Sequence, residues 1–279
     1  MAVVRAVWAL VAASLVATTV TYARLPAPQL YDVSGSGLHG GLSRAVVDLN
    51  FPDALIALAI LGVLASHLSR RSRLVAALAA AFCIVTVFPG VVEQSNLDAK
   101  WINAVPAAGV GLTFVLTVLA PLLPRPRRMS TDPLRIALAA VLLLVAAPWI
   151  AADIGFYLDG VPVLGWLFQT GTLVHFHNSP HRAVHYGVHH GLQGLLLALT
   201  ALLLSRLPNR ISLYLALMLV YGAANMLNDG WLEQVVERGW SSTTIPSVLS
   251  FSANWLWLGV LLTAPAVWAV WFRRDAAEP

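Results

Sequence analysis

Residues 134–152 read LRIALAAVLLLVAAPWIAA, nineteen residues with a single charge, Arg135, near the edge. As an α-helix, a stretch of that length spans the hydrocarbon core of a bilayer, which takes about 20 apolar residues. In lipid each backbone amide has to be satisfied within its own segment, so the stretch reads as a helix and not as an open strand. Seven further stretches read the same way: Val3–Ala23, Phe51–Leu68, Leu74–Val91, Ile102–Leu123, Pro180–Leu204, Ile211–Leu227 and Val248–Phe272. The expected fold is therefore all-α, a polytopic membrane helix bundle of about eight transmembrane helices forming one domain over residues 1–279. The first span has a short apolar run and reads either as an anchor or as a cleaved signal segment.

Composition points the same way. Of the residues, 58% are hydrophobic and 11% charged, against roughly 25% charged in soluble domains. The lone cysteine, Cys83, falls inside the third span and has no partner for an internal disulfide.

The net charge of +4 is distributed as topology requires, not as a nucleic-acid surface. With the N-terminus inside, the cytoplasmic loops and tails and their edges hold Arg5, Arg70, Arg71, Arg73, Arg125, Arg127, Arg128, Arg135, Arg206, Arg210, Arg273 and Arg274. Those are 12 of the 17 basic residues, accompanied by three acids, Asp132, Asp275 and Glu278. Ten acids and five basic residues fall on the other side. The positive-inside rule then puts both termini in the cytoplasm of a multi-pass protein of the cell membrane.

On this topology the segment His175-Phe176-His177-Asn178-Ser179-Pro180-His181-Arg182-Ala183-Val184-His185-Tyr186-Gly187-Val188-His189-His190 faces outward, with six of the eight histidines. Ser179-Pro180 has the form of a helix start, serine capping free amides and proline at the first helical position. Continued as a helix, the segment sets His181, His185 and His189 in one stripe, with His190 about 100° further round. His175 and His177 precede it in the incoming loop. Neutral imidazole suits iron, copper and zinc, and ionisable groups at membrane depth read by default as functional. The six histidines are thus the candidate ligands of a transition metal. Asp153, at the outer end of the fifth span, and Glu93, after the third, are the candidate carboxylates for a catalytic base or an added ligand.

Secondary features complete the reading. His39 lies in the Gly-rich Ser34–Gly41 stretch, expected as an outer loop, and His67 at the inner end of the second span. Val161–Val174 is apolar but too short to cross and reads as a re-entrant lid. Asp229–Trp240 carries Leu232, Val235 and Val236 at helical spacing, as a short helix lying on the membrane would.

Two local resemblances accompany the histidines. His185-x-x-x-His189-His190 is similar to one histidine box of membrane fatty-acid desaturases and hydroxylases, which bind metal through several such boxes on separate segments. His175-Phe176-His177-Asn178 resembles the haem-ligating His-x-His of haem–copper oxidase main subunits. Each covers a handful of residues, and both imply metal chemistry. The function expected is a metal-dependent membrane oxidoreductase or hydrolase acting on a lipid or other apolar substrate. The alternatives are a transition-metal permease and a haem-binding electron carrier, haem being the less favoured cofactor because clear axial ligands come from the sixth helix alone.

Overall fold

The computed structural model describes residues 1–24, 35–93, 98–120, 126, 128–154, 156, 161–163, 165, 173–176, 179–182, 190–208, 210–249 and 251–273. Nine α-helices lie among them. They are α1 (Ala2–Arg24), α2 (Gly37–Asp48), α3 (Asp53–Leu64), α4 (Arg70–Ile84), α5 (Ala104–Leu119), α6 (Asp132–Asp153), α7 (His190–Leu204), α8 (Ser212–Trp231) and α9 (Trp255–Val267). One antiparallel hairpin joins β1 (Leu173–Phe176) to β2 (Ser179–Arg182).

Four helical stretches are long and apolar enough to cross a membrane: Ala2–Arg24, Trp101–Leu119, Asp132–Asp153 and Trp255–Phe272. A fifth is obtained if α2 and α3, bent by 43° at a short break, count as one. The outside of these helices is apolar: Ile136, Leu144, Val118 and Leu262 are each about two-thirds exposed or more. Water-soluble monomers rarely expose contiguous apolar patches above a few hundred Å². The long apolar helices are compatible with a multi-pass membrane protein.

Local chemistry sets the helix ends. Ser69 caps α4 by accepting the Ser72 amide, and Asn254 caps α9 by accepting that of Trp257. Pro133 sits in the first turn of α6, where a missing amide hydrogen costs nothing.

Small residues set how closely the helices approach. A Cβ on Gly41 of α2 would run into the Thr19 carbonyl of α1, and one on Gly109 of α5 into Cys83 and the Ala79 carbonyl of α4. At the α7–α8 crossing, Gly194 and Gly222 each lie against the other's carbonyl oxygen. Such contacts are how helices associate where lipid supplies no hydrophobic drive between them.

At one end of the bundle Arg135 of α6 is buried, bonded to Thr131 and to Ser205 (3.2 Å), and its guanidinium lies 5.1 Å from the Trp271 ring. Arg206 reaches Asp132 at 3.2 Å. These contacts tie α6 to the end of α7 and to the helical turns after α9.

Three expectations need correction. Ser179-Pro180 does not start a helix: Ser179–Arg182 is a strand paired with Leu173–Phe176, and the described part of the helix that follows is His190–Leu204. A proline needs no amide hydrogen at the edge of a two-stranded ribbon, so the dipeptide suits a hairpin as well as a cap. The Gly-rich stretch around His39 is largely helical, because its glycines let α2 lie against α1. Asp229–Trp240 is no separate surface helix: α8 continues to Trp231 and winds into a π-turn over Leu232–Val236. Of the expected lid over Val161–Val174, most residues lie outside those described.

Candidate functional site

Buried polar side chains gather where α1, α6 and α8 finish and α7 begins. Asp48, the last residue of α2, is 1% exposed. Its carboxylate accepts Thr18 Oγ1 from α1 (2.5 Å) and Gln193 Nε2 from α7 (2.7 Å), with Arg44 Nη2 at 3.5 Å. One carboxylate thereby joins three helices. Pairing and hydrogen bonding are what make such a buried charge tolerable.

Just under a turn before Gln193, at the first described residue of α7, His190 lies against α8. Asn228 donates its amide to the carbonyls of Ile245 and Pro246 (2.8 and 3.2 Å), which turns its Oδ1 toward His190 Nε2 at 2.8 Å. Nε2 therefore carries a hydrogen. Nδ1 faces Asp229 Oδ1 across 3.4 Å. The other oxygen of Asp229 accepts the Gly191 amide at 2.9 Å. Gly191 has room for nothing larger: a Cβ there would stand 2.7 Å from the Trp149 ring and 2.8 Å from Asp229 Oδ2. Trp149 of α6 donates Nε1 to Glu233 Oε2 at 2.7 Å. Beside it, Thr21 of α1 donates to the backbone oxygen of Asp153 (3.3 Å) and lies 3.5 Å from its carboxylate.

A third group clamps the α2–α3 break. Asn50 donates to the carbonyls of Val46 and Asn103, and Asn103 returns a bond to Asn50 Oδ1 at 3.0 Å. Thr86 donates to the Asn50 carbonyl at 2.6 Å. Just past the break Asp53 opens α3, 2% exposed, with no hydrogen-bond partner on either carboxylate oxygen among the described residues.

The belt thus holds five buried carboxylates, Asp48, Asp53, Asp153, Asp229 and Glu233. Among the described residues, the buried basic side chains at this end are Arg44 and His190. So acidic an interior favours protons, cations or donors from neighbouring segments.

The residues singled out in the sequence separate here. Asp153 lies in the belt. Glu93 does not: it is partly exposed and pairs with Lys100 Nζ at 2.8 Å. His175 stands opposite Pro180 and His181 opposite Val174 in the hairpin, so the two are not cross-strand partners, and His181 does not share a helix with His190. His177, His185 and His189 lie outside the described residues. His190 is in the belt, with both ring nitrogens facing side-chain oxygens. Among the described residues no three His, Cys, Asp or Glu side chains form a metal-ligating group. Asp48, Asp53, Asn50, Gln193 and Asn228 were not legible as site residues. The one available signal was polar residues interrupting otherwise apolar runs, as Gln193 does in α7.

Next to the belt lies an apolar cavity of about 220 Å³ between α3, α8 and the start of α9. Phe51, Phe88, Tyr214, Tyr221 and Trp257 line it, with Tyr221 stacked on Trp257 at 5.2 Å. Its hydroxyls are turned to backbone: Tyr214 donates to Leu55, Tyr221 to Leu249 and Thr86 to Asn50. Such walls suit an apolar guest. Phe51 sits within the α2–α3 break, so cavity and belt share one piece of chain.

Comparison of the chain with known family models, with curated proteins and with solved structures finds no match.

Proposed function

We propose that this protein is a membrane metalloenzyme, an oxidoreductase or hydrolase, whose histidine segment holds iron, copper or zinc at the extracytoplasmic face. The proposal includes eight crossings with both termini cytoplasmic, α4, α7 and α8 completing the set. The observation carrying it is the belt: buried carboxylates crowd the end of the bundle at which the histidine segment enters α7. His175, His177, His181, His185 and His189 are the ligands on this reading. His190 takes a supporting role, because Asn228 and Asp229 engage its ring; such outer partners orient a metal site. Asp153 acts as the nearby base, and the aromatic cavity receives a lipid-derived or other apolar substrate from the membrane. Glu93, paired with Lys100, plays a lesser part.

One observation favours a second reading, a transition-metal permease: carriers often place ion sites at broken helices, and α2–α3 is bent with carboxylates on both sides of its break. The remaining apolar lengths of the helices favour the enzyme.

The experiment is metal analysis of the purified protein by mass spectrometry, with an absorption spectrum. About one equivalent of iron, copper or zinc per chain is expected, lost in the His181→Ala/His185→Ala double variant. Absence of metal, or equal metal in the variant, overturns the reading. A Soret band selects haem instead, and uptake into proteoliposomes separates permease from enzyme.

A further inference from the structure

Asp53 stands apart from the other carboxylates of the belt. It lies at the first position of α3, immediately after the break that follows Asp48, and is 98% buried. Among the described residues neither of its oxygens has a hydrogen-bond partner. The next turn of α3 is apolar, with Ala54 and Ala57 packed in one cluster with Cys83 and Val110.

The groups around it sharpen the problem. Among the described residues the charged group that interacts with Asp53 is Asp48, across the break. Arg44 lies behind Asp48 and is engaged by it. Of the helices packed on α3, α4 contributes the Cys83 thiol and α7 contributes Gln193, already bonded to Asp48. α5 has no charged residue. A second anion here would face the first with no donor to stabilise it, the least favourable arrangement for a buried charge.

A metal cation does not fit this vacancy in the hydrogen bonding. Hard cations need several oxygen ligands, and the other side-chain oxygens at the break, with the Asn50 carbonyl, already accept hydrogen bonds. Asp48 is held by Thr18 and Gln193, Asn50 Oδ1 by Asn103, and the Asn50 carbonyl by Thr86. A proton needs no such shell.

We propose that Asp53 is a proton-binding site at the break of the α2–α3 pair, a carboxyl that exchanges its proton with the surroundings while buried in the bundle. The site is independent of any metal. It has the placement of ion sites in discontinuous membrane helices, where the chain leaves helical geometry beside a cavity.

Infrared difference spectroscopy of the whole protein in lipid tests it. The wild type minus Asp53→Asn spectrum is expected to show the carbonyl stretch of a protonated carboxylic acid at neutral pH. The band should move to lower frequency in D2O and fade as pH is raised. Absence of such a band, or one that ignores D2O and pH, overturns the proposal. A second measurement uses the unmodified protein, so that a folding defect in the variant cannot decide the matter. Dicyclohexylcarbodiimide, a hydrophobic reagent, adds a protonated carboxyl across one of its C=N bonds to give an O-acylisourea, whose acyl group then moves from oxygen to nitrogen to leave a stable N-acylurea. Peptide mapping should find the adduct on Asp53, decreasing with rising pH; no adduct there at any pH overturns the proposal.

Discussion

Gly222→Leu is expected to abolish the folded bundle, and Gly222→Ala to cost about 1–3 kcal/mol, the range for overfilling a close-packed site. Among the described helices α7 and α8 form the most extensive pair, and they cross where Gly194 and Gly222 face each other. A Cβ on Gly222 would overlap the Gly194 carbonyl oxygen and stand 3.0 Å from the Ala198 amide nitrogen. The obstacles are backbone atoms of a neighbouring helix, so no rotamer change relieves them. Separating the two helices would also lengthen the His190–Asn228 and Gly191–Asp229 bonds one or two turns away. Gly259 of α9 supplies the control. Nothing lies within 4 Å of a Cβ there, and an alanine in a helix gains about 1 kcal/mol of propensity over glycine. Thermal unfolding in detergent, followed by the monodisperse fraction on size exclusion, checks both. Equal melting temperatures for Gly222→Ala and Gly259→Ala would contradict the packing described.

Asp48→Ala is the second large effect, about 3–5 kcal/mol, the usual cost of removing one partner from a buried charged pair. The loss strands Arg44, which is 7% exposed, and removes the acceptor used by both Thr18 and Gln193. Those donors come from α1 and α7, so the substitution loosens helices distant in sequence. Asp48→Asn keeps an acceptor oxygen and should lose less. The same melting assay distinguishes them: the order wild type, Asn, Ala is expected, and an alanine variant as stable as the wild type would show that the belt does not hold the helices.

How far the sequence could be read follows from what each signal encodes. Apolar length is a local property, and each of the eight stretches found by it contains a helix, from Ala2–Arg24 to Trp255–Val267. The ends moved where a competing local rule won. Ser179-Pro180 satisfies both a helix start and a ribbon edge, and the pairing of His175 with Pro180 decides for the ribbon. α2 was hidden by its glycines, which read as loop residues in isolation and act as a contact surface only once Thr19 of α1 lies against Gly41. The belt was the least legible part. Gln193 and Asp48 are 145 residues apart, and no periodicity links them. Asp153 was recognisable because it closes an apolar run, whereas Asp48 precedes the stretch read as a span, which begins at Phe51.

Metal binding by the histidines beside the belt is read out by X-ray absorption at the edge of the bound metal. The first shell is expected to contain nitrogen at about 2.0–2.1 Å if zinc is bound, with the outer-shell scattering that imidazole rings give for any of the three metals. That scattering should weaken in proportion to the histidines removed, in His181→Ala and then in His181→Ala/His185→Ala. A first shell of oxygen alone, without imidazole scattering, or a spectrum unchanged by the substitutions would contradict the claim.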